Sequence, residues 1–573
     1  MGCMHRLVLV PSGRLGILSR VMEPFLQDPP RFTNRFRTDR ALRATLERLL
    51  PEDVYLELAP ELDAMGALAA GELADLVEQA ERNPPRHVPW DAWGRRIDRV
   101  DVDPAWLRII EIGREAGVVA AAYEDRFGAW ARVAQFALLD LYDPSSATAD
   151  CPLSMSDAAA RVLIAESPEL AERWVPGLTA RRDAVTAGQW MTEIEGGSDV
   201  SRSSTVARRR VDGTWTLHGA KWFTSAIVPA DVALLLARPE GAEQGSRGLS
   251  LFFMELRDAS GSWNGITIRR LKDKLGTKSL PTAEVDLDGA VAVQVGDLGH
   301  GVRKIATMLN ITRVHAAFGS VGAMGAALDL ARDYAGRREA FGRPIGELPL
   351  HRAWIARVAA EVEAAQGLAY RAAELLGAAE RTGEGAELVR VVMPLAKMAI
   401  SRQAVWVTSE LMESFGGAGY VEDTGIPRML RDAHVNCIWE GTTSVLALDV
   451  LRALAKSPQA AAAFCEDVEA RARAYDHPLI AGPARAVRDA TVSLRQMMLE
   501  AHEGAARRIA WGMARTYEAA LLCEAAGWAL DKKGDARAAT AAALFTSEPL
   551  VGPGVPVDDA ELGALAFGRD EAF

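Results

Sequence analysis

Cysteine is scarce in this 573-residue chain. The five residues, Cys3, Cys151, Cys437, Cys465 and Cys523, are scattered, and no two are spaced as CxxC. An odd, dispersed set argues against a disulfide framework and fits free thiols in a reducing compartment, so the chain is read as cytoplasmic. The nine histidines form no HExxH and no His–Cys pairing at zinc spacing, which argues against a metal site. No apolar run approaches the ~18 residues of a membrane helix. Positive charge is not in excess either: 65 Lys and Arg stand against 77 Asp and Glu, a net charge of -12. A protein that grips phosphate backbones usually shows a basic excess or patch. What is present, 49% hydrophobic and 25% charged residues, is the makeup of ordinary globular domains. The length suggests about three or four of them.

Before Glu23 the chain carries Arg6, Arg14 and Arg20 and no acid. Two readings stand, a transit-like segment and a plain extension with Met22 as an alternative start. The missing cleavage-site pattern favours the extension. From about residue 39 to 179 the sequence reads as helix. RALRATLERLL (Arg40 to Leu50) and AWLRIIEIGREAGVVAAAYE (Ala105 to Glu124) place apolar residues at helical spacing. The pattern then changes. TVARRRVDGTWTLHG (Thr205 to Gly219) is two extended runs around Asp212-Gly213, a pair suited to a tight hairpin turn. VALLLA from Val232, LSLFFMEL from Leu249 and AEVDLDGAVAV from Ala283 are further strands. Helix returns at Gly301, runs through ALDLARDYAGRREAF and two longer amphipathic segments, and recurs from about Ala484 to Leu530. The tail after Asp531 is rich in Gly, Pro and Asp and reads as loosely ordered in part. The expected fold is mainly α with a central β domain. It divides into an extension (1–38), a helical domain (39–180), a β domain (181–295), a helical bundle (296–455) and an additional helical domain (456–573). That order is not the βαβ alternation of a parallel-sheet enzyme.

No P-loop or dinucleotide fingerprint stands out. Gly416, Gly417 and Gly419 follow a helix rather than a strand, and AFGSVG around Ser320 lacks the leading Gly of a nucleophile elbow. Four short motifs do occur in order. They are WMTEIEGGSD (Trp190 to Asp199), KWFTS (Lys221 to Ser225), RREAFG (Arg337 to Gly342) and IWEGTTS (Ile438 to Ser444), the last preceded by FGGAGY at Phe415. Singly, each has an ordinary explanation. Ser and Asp cap helices, Trp222 and Phe223 suit a sheet core, Arg338 suits a solvated helix face, and Glu440 suits the cap of a helix starting near Thr442. Chance does not readily explain all four together, two in β and two in helical surroundings.

The set resembles the acyl-CoA dehydrogenase superfamily of flavoproteins over about residues 152–454. Within it the sequence is most similar to the AidB-like branch, which shares the GGSD, KWF and IWEG forms and Trp439, where most members carry another residue. The resemblance implies an N-terminal helical domain, a middle β barrel and a C-terminal four-helix bundle. FAD would lie between barrel and bundle, with help from a neighbouring subunit of a homotetramer, a dimer of dimers. It also implies roles. Gln189, Met191, Thr192, Gly197 and Ser198 would line the flavin, and Phe223, Thr224 and Ser225 would hold the ring's other edge. Arg338, Phe341, Glu413 and Gly417 would reach the neighbour's FAD, the guanidinium suiting a pyrophosphate; glutamine is commoner than Glu413 at its position. Trp439, Thr442 and Ser444 would lie near the flavin and its phosphates, as helix N-termini favour anions. Ser198 and Arg313 would contact the acyl-CoA thioester.

The reaction implied is α,β-dehydrogenation, with Glu440 taking the α-proton, the β-hydride passing to flavin, and electron-transfer flavoprotein as the family's usual acceptor, direct use of oxygen standing as the alternative. A carboxylate shielded from water is a stronger base than an exposed one. Some members place the base one position before the arginine matching Arg313. Here that stretch is Asn310-Ile311-Thr312-Arg313, without an acid, which leaves Glu440. Nitroalkane-oxidising relatives use Asp, so Glu440 also argues against that chemistry. Two other functions compete. A DNA-binding role is attributed in the AidB-like branch to a basic C-terminal domain. Residues 456–573 hold 13 Lys and Arg against 17 Asp and Glu, a balance of -4, so nucleic acid ranks below the enzyme. A lipid-binding homologue with a dead site is opposed by Glu440 and both flavin motifs. The sequence does not set the length or branching of the acyl chain.

Overall fold

Asn34 and Asp39 start the first helices. The structure, a computed structural model, describes residues 28–552 together with 562, 565, 566 and 568. The extension up to residue 27, with Cys3, lies outside the described residues, as does most of the tail beyond 552. Among the described residues helix begins earlier than expected, at α1 (Arg35–Thr38), where Arg35 is buried against Asp140 at 3.1 Å. Asp39 then accepts from the N–H groups of Ala41 and Leu42 at 3.0 Å and opens α2 (Arg40–Leu49). α3 (Glu52–Ala70) and α4 (Glu72–Arg82) follow.

The expected run of helix is broken by an antiparallel hairpin, β1 (Arg86–Trp90) and β2 (Arg96–Asp101). Pro89 and Gly94 disfavour helix there. Tertiary contacts fix the strands: the Trp263 indole donates to the Asp98 carbonyl at 3.1 Å, and Arg96 reaches the Ile268 carbonyl at 2.6 Å. Asp103 and Pro104 cap and start α5 (Pro104–Glu115). Helix was expected as far as Glu124 but stops at Gly117 (φ +88°), where the Val118 N–H turns back to the Gly113 carbonyl. All twelve residues of α6 (Ala131–Tyr142) are buried; α7 (Asp150–Glu166) follows, and α8 (Pro168–Leu178) packs on α7. Buried Arg132 of α6 is paired, with Asp157 of α7 at 2.9 Å and with Glu380 at 2.7 Å.

The β domain holds β3 (Ala187–Trp190), β4 (Val206–Arg209), β5 (Trp215–Ser225), β6 (Val232–Pro239), β7 (Ser250–Glu255), β8 (Ile266–Leu271) and β9 (Thr282–Val295). Pairings run β6–β4–β5–β9–β7 and return to β6, so the sheet closes on itself, with β3 added along β6 and β8 along β9. Closure leaves few edges exposed to pairing. β6 shows why VALLLA is apolar throughout. Ala233, Leu235 and Ala237 fill the barrel, while Val232, Leu234 and Leu236 pack against the helical core. The Asp212-Gly213 hairpin is present, though only Gly213 has positive φ, and the loop is wider than a two-residue turn.

α9 (Gly301–Arg337) is apolar and long enough by composition to cross a membrane, but its apolar stretch is buried inside the fold. Helix was expected through Phe341. Instead α9 ends at Arg337 and the chain makes a small hairpin, β10 (Glu339–Ala340) and β11 (Arg343–Pro344). α10 (Pro349–Thr382) and α11 (Ala386–Ser414) pack on α9, and α12 (Ile426–Asn436) and α13 (Thr443–Lys456) pack on α11. The last block is α14 (Pro458–Arg473), α15 (Pro478–Leu499), α16 (Ala506–Lys533) and α17 (Arg537–Phe545). α17 falls where loose order was expected; its Ala538, Ala539, Ala541, Ala542 and Phe545 are buried. Buried cations of this block are ion-paired, Arg515 with Glu361 of α10 at 2.5 and 2.9 Å and Arg471 with Glu524 of α16 at 2.8 Å. Cys151, Cys437, Cys465 and Cys523 are free and buried.

Candidate active site

Glu440 lies in the turn between α12 and α13 on left-handed backbone (φ +56°), and Gly441 follows at φ +106°. Such backbone costs a non-glycine residue of order 1–3 kcal/mol and persists only where its surroundings hold it. Side chains from two helices do so here. The Thr312 hydroxyl on α9 donates to Glu440 Oε2 at 2.6 Å. Nε of Arg313, the next residue, reaches the Glu440 carbonyl at 3.4 Å, and its terminal nitrogen sits 2.9 Å from Asp449 of α13. Lys397 of α11 is buried and donates from Nζ to the Gly441 carbonyl at 2.7 Å. Helix α13 is capped by the Thr442 hydroxyl, which accepts the Val445 N–H at 3.5 Å, so Thr442 rather than Glu440 is the cap. Ser444 is exposed in its first turn. The half-buried Trp439 is tied back to α12, its indole N–H on Asn436 Oδ1 at 2.8 Å. Arg313, expected against the thioester, is buried and braces the turn.

The barrel motifs form one unit. β3 ends in buried Trp190 and Met191, and the carbonyl of the half-buried Thr192 accepts the Trp222 N–H at 3.0 Å. Beneath them Lys221 Nζ meets Glu193 Oε1 at 2.6 Å, with both side chains fully buried. Glu193 also accepts the Ser204 N–H at 2.6 Å and the Thr205 hydroxyl at 2.6 Å. Burial opposes ionising Glu193, but the Lys221 ammonium and these hydrogen bonds outweigh it and hold the carboxyl below its ordinary value. The loop beyond turns sharply: a Cβ at Gly196 would stand 2.2 Å from the Asp199 carbonyl oxygen. Gly197 and Ser198 are exposed at its tip. Phe223 is 49% exposed, with Lys272 Nζ 4.4 Å from its ring centre. Thr224 is buried and gives its hydroxyl to the Ala283 carbonyl at 2.8 Å. The Ser225 hydroxyl lies 3.3 Å from that of Thr282. Gln189 Oε1 is buried without a hydrogen-bond partner. The barrel docks on α12, the helix before the Glu440 turn, where the Thr277 N–H donates to Asp432 Oδ1 at 2.6 Å.

A second group lies elsewhere. Phe341, 93% exposed, and Gly342 form the tip of the β10–β11 hairpin, both with positive φ as a tight hairpin turn needs. Arg338 opens that hairpin, its N–H on the Tyr334 carbonyl. The Tyr334 hydroxyl donates to the Phe415 carbonyl at 3.3 Å, which brings exposed Glu413 and Gly417 to the same end of the bundle. Thr312 and Tyr334 are 22 residues apart on α9, so about 33 Å of helix separates this end from Glu440. Arg338, Phe341, Glu413 and Gly417 are thus brought together with one another and not with the carboxylate of their own chain. Thr312, Lys397, Glu193 and Lys221 take part in the site although the motifs assigned them no role.

Comparison with known proteins agrees with this layout. Residues 27–183 match the adaptive response protein AidB N-terminal domain, 188–290 the acyl-CoA dehydrogenase middle domain, and 299–455 the acyl-CoA dehydrogenase C-terminal domain. Residues 459–551 match the acyl-CoA dehydrogenase 11 C-terminal domain-like family. The chain is 41% identical to acyl-CoA dehydrogenase family member 11 of Caenorhabditis elegans, over 87% of this chain and 85% of that one. It is 35% identical to the putative acyl-CoA dehydrogenase AidB of Escherichia coli, over 70% and 74%. The solved structure of Caenorhabditis elegans ACDH-11 in complex with C11-CoA superposes with a TM-score of 0.88 at 39% identity, covering 92% of this chain and 94% of that one. The chain belongs to the acyl-CoA dehydrogenase family of oxidoreductases, in its AidB-like branch.

Proposed function

We propose that the protein is an FAD-dependent acyl-CoA dehydrogenase in which Glu440 removes the α-proton of an acyl-CoA thioester. The observation that carries this reading is the Glu440 carboxylate itself, held at 2.6 Å by Thr312 on a turn braced from two helices. The C11-CoA bound by the nematode relative supports an acyl-CoA as the substrate class.

Members of the family bind FAD, and the residues present fit it. Gln189 offers a buried acceptor with no hydrogen-bond partner among the described residues. Met191, Thr192, Gly197 and Ser198 supply a loop stapled to β5, and Phe223 an exposed aromatic face beside Ser225. Trp439, Thr442 and Ser444 surround the N-terminus of α13, which suits phosphate. Arg338, Phe341, Glu413 and Gly417 would serve the cofactor of a neighbouring subunit in a dimer of dimers; their distance from their own Glu440 supports this reading. When bound, FAD supplies the two-electron acceptor for the β-hydride. The chain does the rest. Thr312 orients the carboxylate, Arg313 fixes the backbone beneath it, and Ser198, at the exposed loop tip, would meet the thioester. Electron-transfer flavoprotein is the acceptor we expect. A DNA-binding role is not favoured: the C-terminal block is acidic and its Arg471, Arg515 and Arg537 are already ion-paired.

Thr312→Val tests the orientation. A hydrogen bond to a charged group contributes about 1.5–3 kcal/mol, so kcat should fall roughly 10- to 100-fold with FAD content unchanged. Steady-state rates on the best acyl-CoA check it, and a kcat equal to that of the wild type would remove Thr312 from the mechanism.

A further inference from the structure

Lys397 is nearly inaccessible, 1% exposed, in the middle of α11. Burying an ammonium is expensive unless it is well paired. Yet among the described residues its one hydrogen bond is to the Gly441 carbonyl, and it makes no ion pair within 4 Å. A neutral side chain would fill the space at lower cost. The titratable groups that act on it are Glu440 and Cys437, which favour its protonated form, and Arg313, which opposes it. Burial pulls the lysine down to about 7, and the Glu440 charge opposes that fall.

We propose that Lys397 is a positioning residue for the base. Its Nζ pins the Gly441 carbonyl while Arg313 holds the Glu440 carbonyl, so two successive peptide planes of the left-handed turn are fixed from two different helices and the carboxylate stays on Thr312. The inference rests on Glu440 being the base. It adds that the turn's shape is maintained by a buried lysine on α11 as well as by its own sequence.

The test uses the full-length FAD-loaded protein with Lys397→Met and Lys397→Arg, and Glu440→Gln alongside. In Lys397→Met, kcat should fall 10- to 100-fold while KM changes less than twofold, an energy of about 1.4–2.7 kcal/mol at a tenfold per 1.36 kcal/mol. Lys397→Arg, which keeps a charged donor, should recover most of the loss. Independently of turnover, amide hydrogen exchange across residues 438–446 of Lys397→Met should speed at least tenfold while the remainder of α11 keeps its protection. Lys397→Gln, smaller and neutral, takes its place if Lys397→Met does not fold. Wild-type kcat and wild-type exchange at 438–446 would overturn the proposal, as would faster exchange throughout α11, which would mark a purely structural lysine. If Glu440→Gln kept full activity, the base assignment would fall, and the exchange result would still decide whether Lys397 holds the turn.

Discussion

Glu440→Gln should lose nearly all turnover and little else. Glutamine has the shape of glutamate and still accepts from Thr312, so the turn and the cofactor site stay intact. What disappears is the capacity to take a proton. A positioned general base contributes roughly 10²–10⁴-fold to a rate, and among the described residues no second carboxylate is hydrogen-bonded into this turn. The expected result is a fall in kcat of about 10³-fold, with KM changed by less than about threefold, because an interaction made only in the transition state lowers kcat and not binding. FAD content and the unfolding temperature should match those of the wild type. Residual activity within about tenfold of the wild type would mean that another group takes the proton.

Lys221→Met should damage the barrel rather than the chemistry. Glu193 and Lys221 are each fully buried and 2.6 Å apart, and Glu193 anchors the loop that leads to Gly197 and Ser198. Removing one partner of a buried pair leaves an uncompensated charge, at about 3–5 kcal/mol. The first unfolding transition should drop by on the order of 10 °C, and FAD should be lost on dilution. The double variant Glu193→Gln/Lys221→Met should recover part of that loss, because no lone charge remains. The pH dependence separates the two. Glu193 is held below its ordinary value in the fold, so in the wild type its contribution is fully present above the unfolded-state value of about 4.3 and is lost as pH falls through the folded one. In Lys221→Met the sign reverses: the carboxylate lacks its cation, and mild acid should stabilise the protein. Thermal melts between pH 4 and 8 check both, and equal melting temperatures for wild type and Lys221→Met would refute this view of the loop.

The sequence carried the architecture well where local chemistry repeats. Leu42 and Leu46 mark the buried face of α2, and Val232 to Ala237 mark a strand buried on both sides. It failed where tertiary contacts overrule propensity. Arg338, Glu339 and Ala340 favour helix, yet they enter a hairpin whose tip puts Phe341 at φ +55°. The strands at Arg86 and Arg96 show little alternation, and contacts with Trp263 and Ile268, far along the chain, fix them. The site was legible as four motifs, because each is a short run of specific residue types. Its supports were not. Thr312 and Glu440 are 128 residues apart, and Lys397 and Gly441 are 44 apart, and nothing local to either partner announces the other. Glu193 and Lys221 sit inside two of the motifs, but only the fold shows that one neutralises the other.

Anaerobic titration of the FAD-loaded protein with saturated acyl-CoAs of graded chain length tests the central claim most directly. The account predicts that at least one chain length bleaches the oxidised flavin absorbance in step with formation of the 2-enoyl-CoA, and that Glu440→Gln binds the same thioester without bleaching. A fully FAD-loaded protein that bleaches with none of them and yields no enoyl product would contradict it.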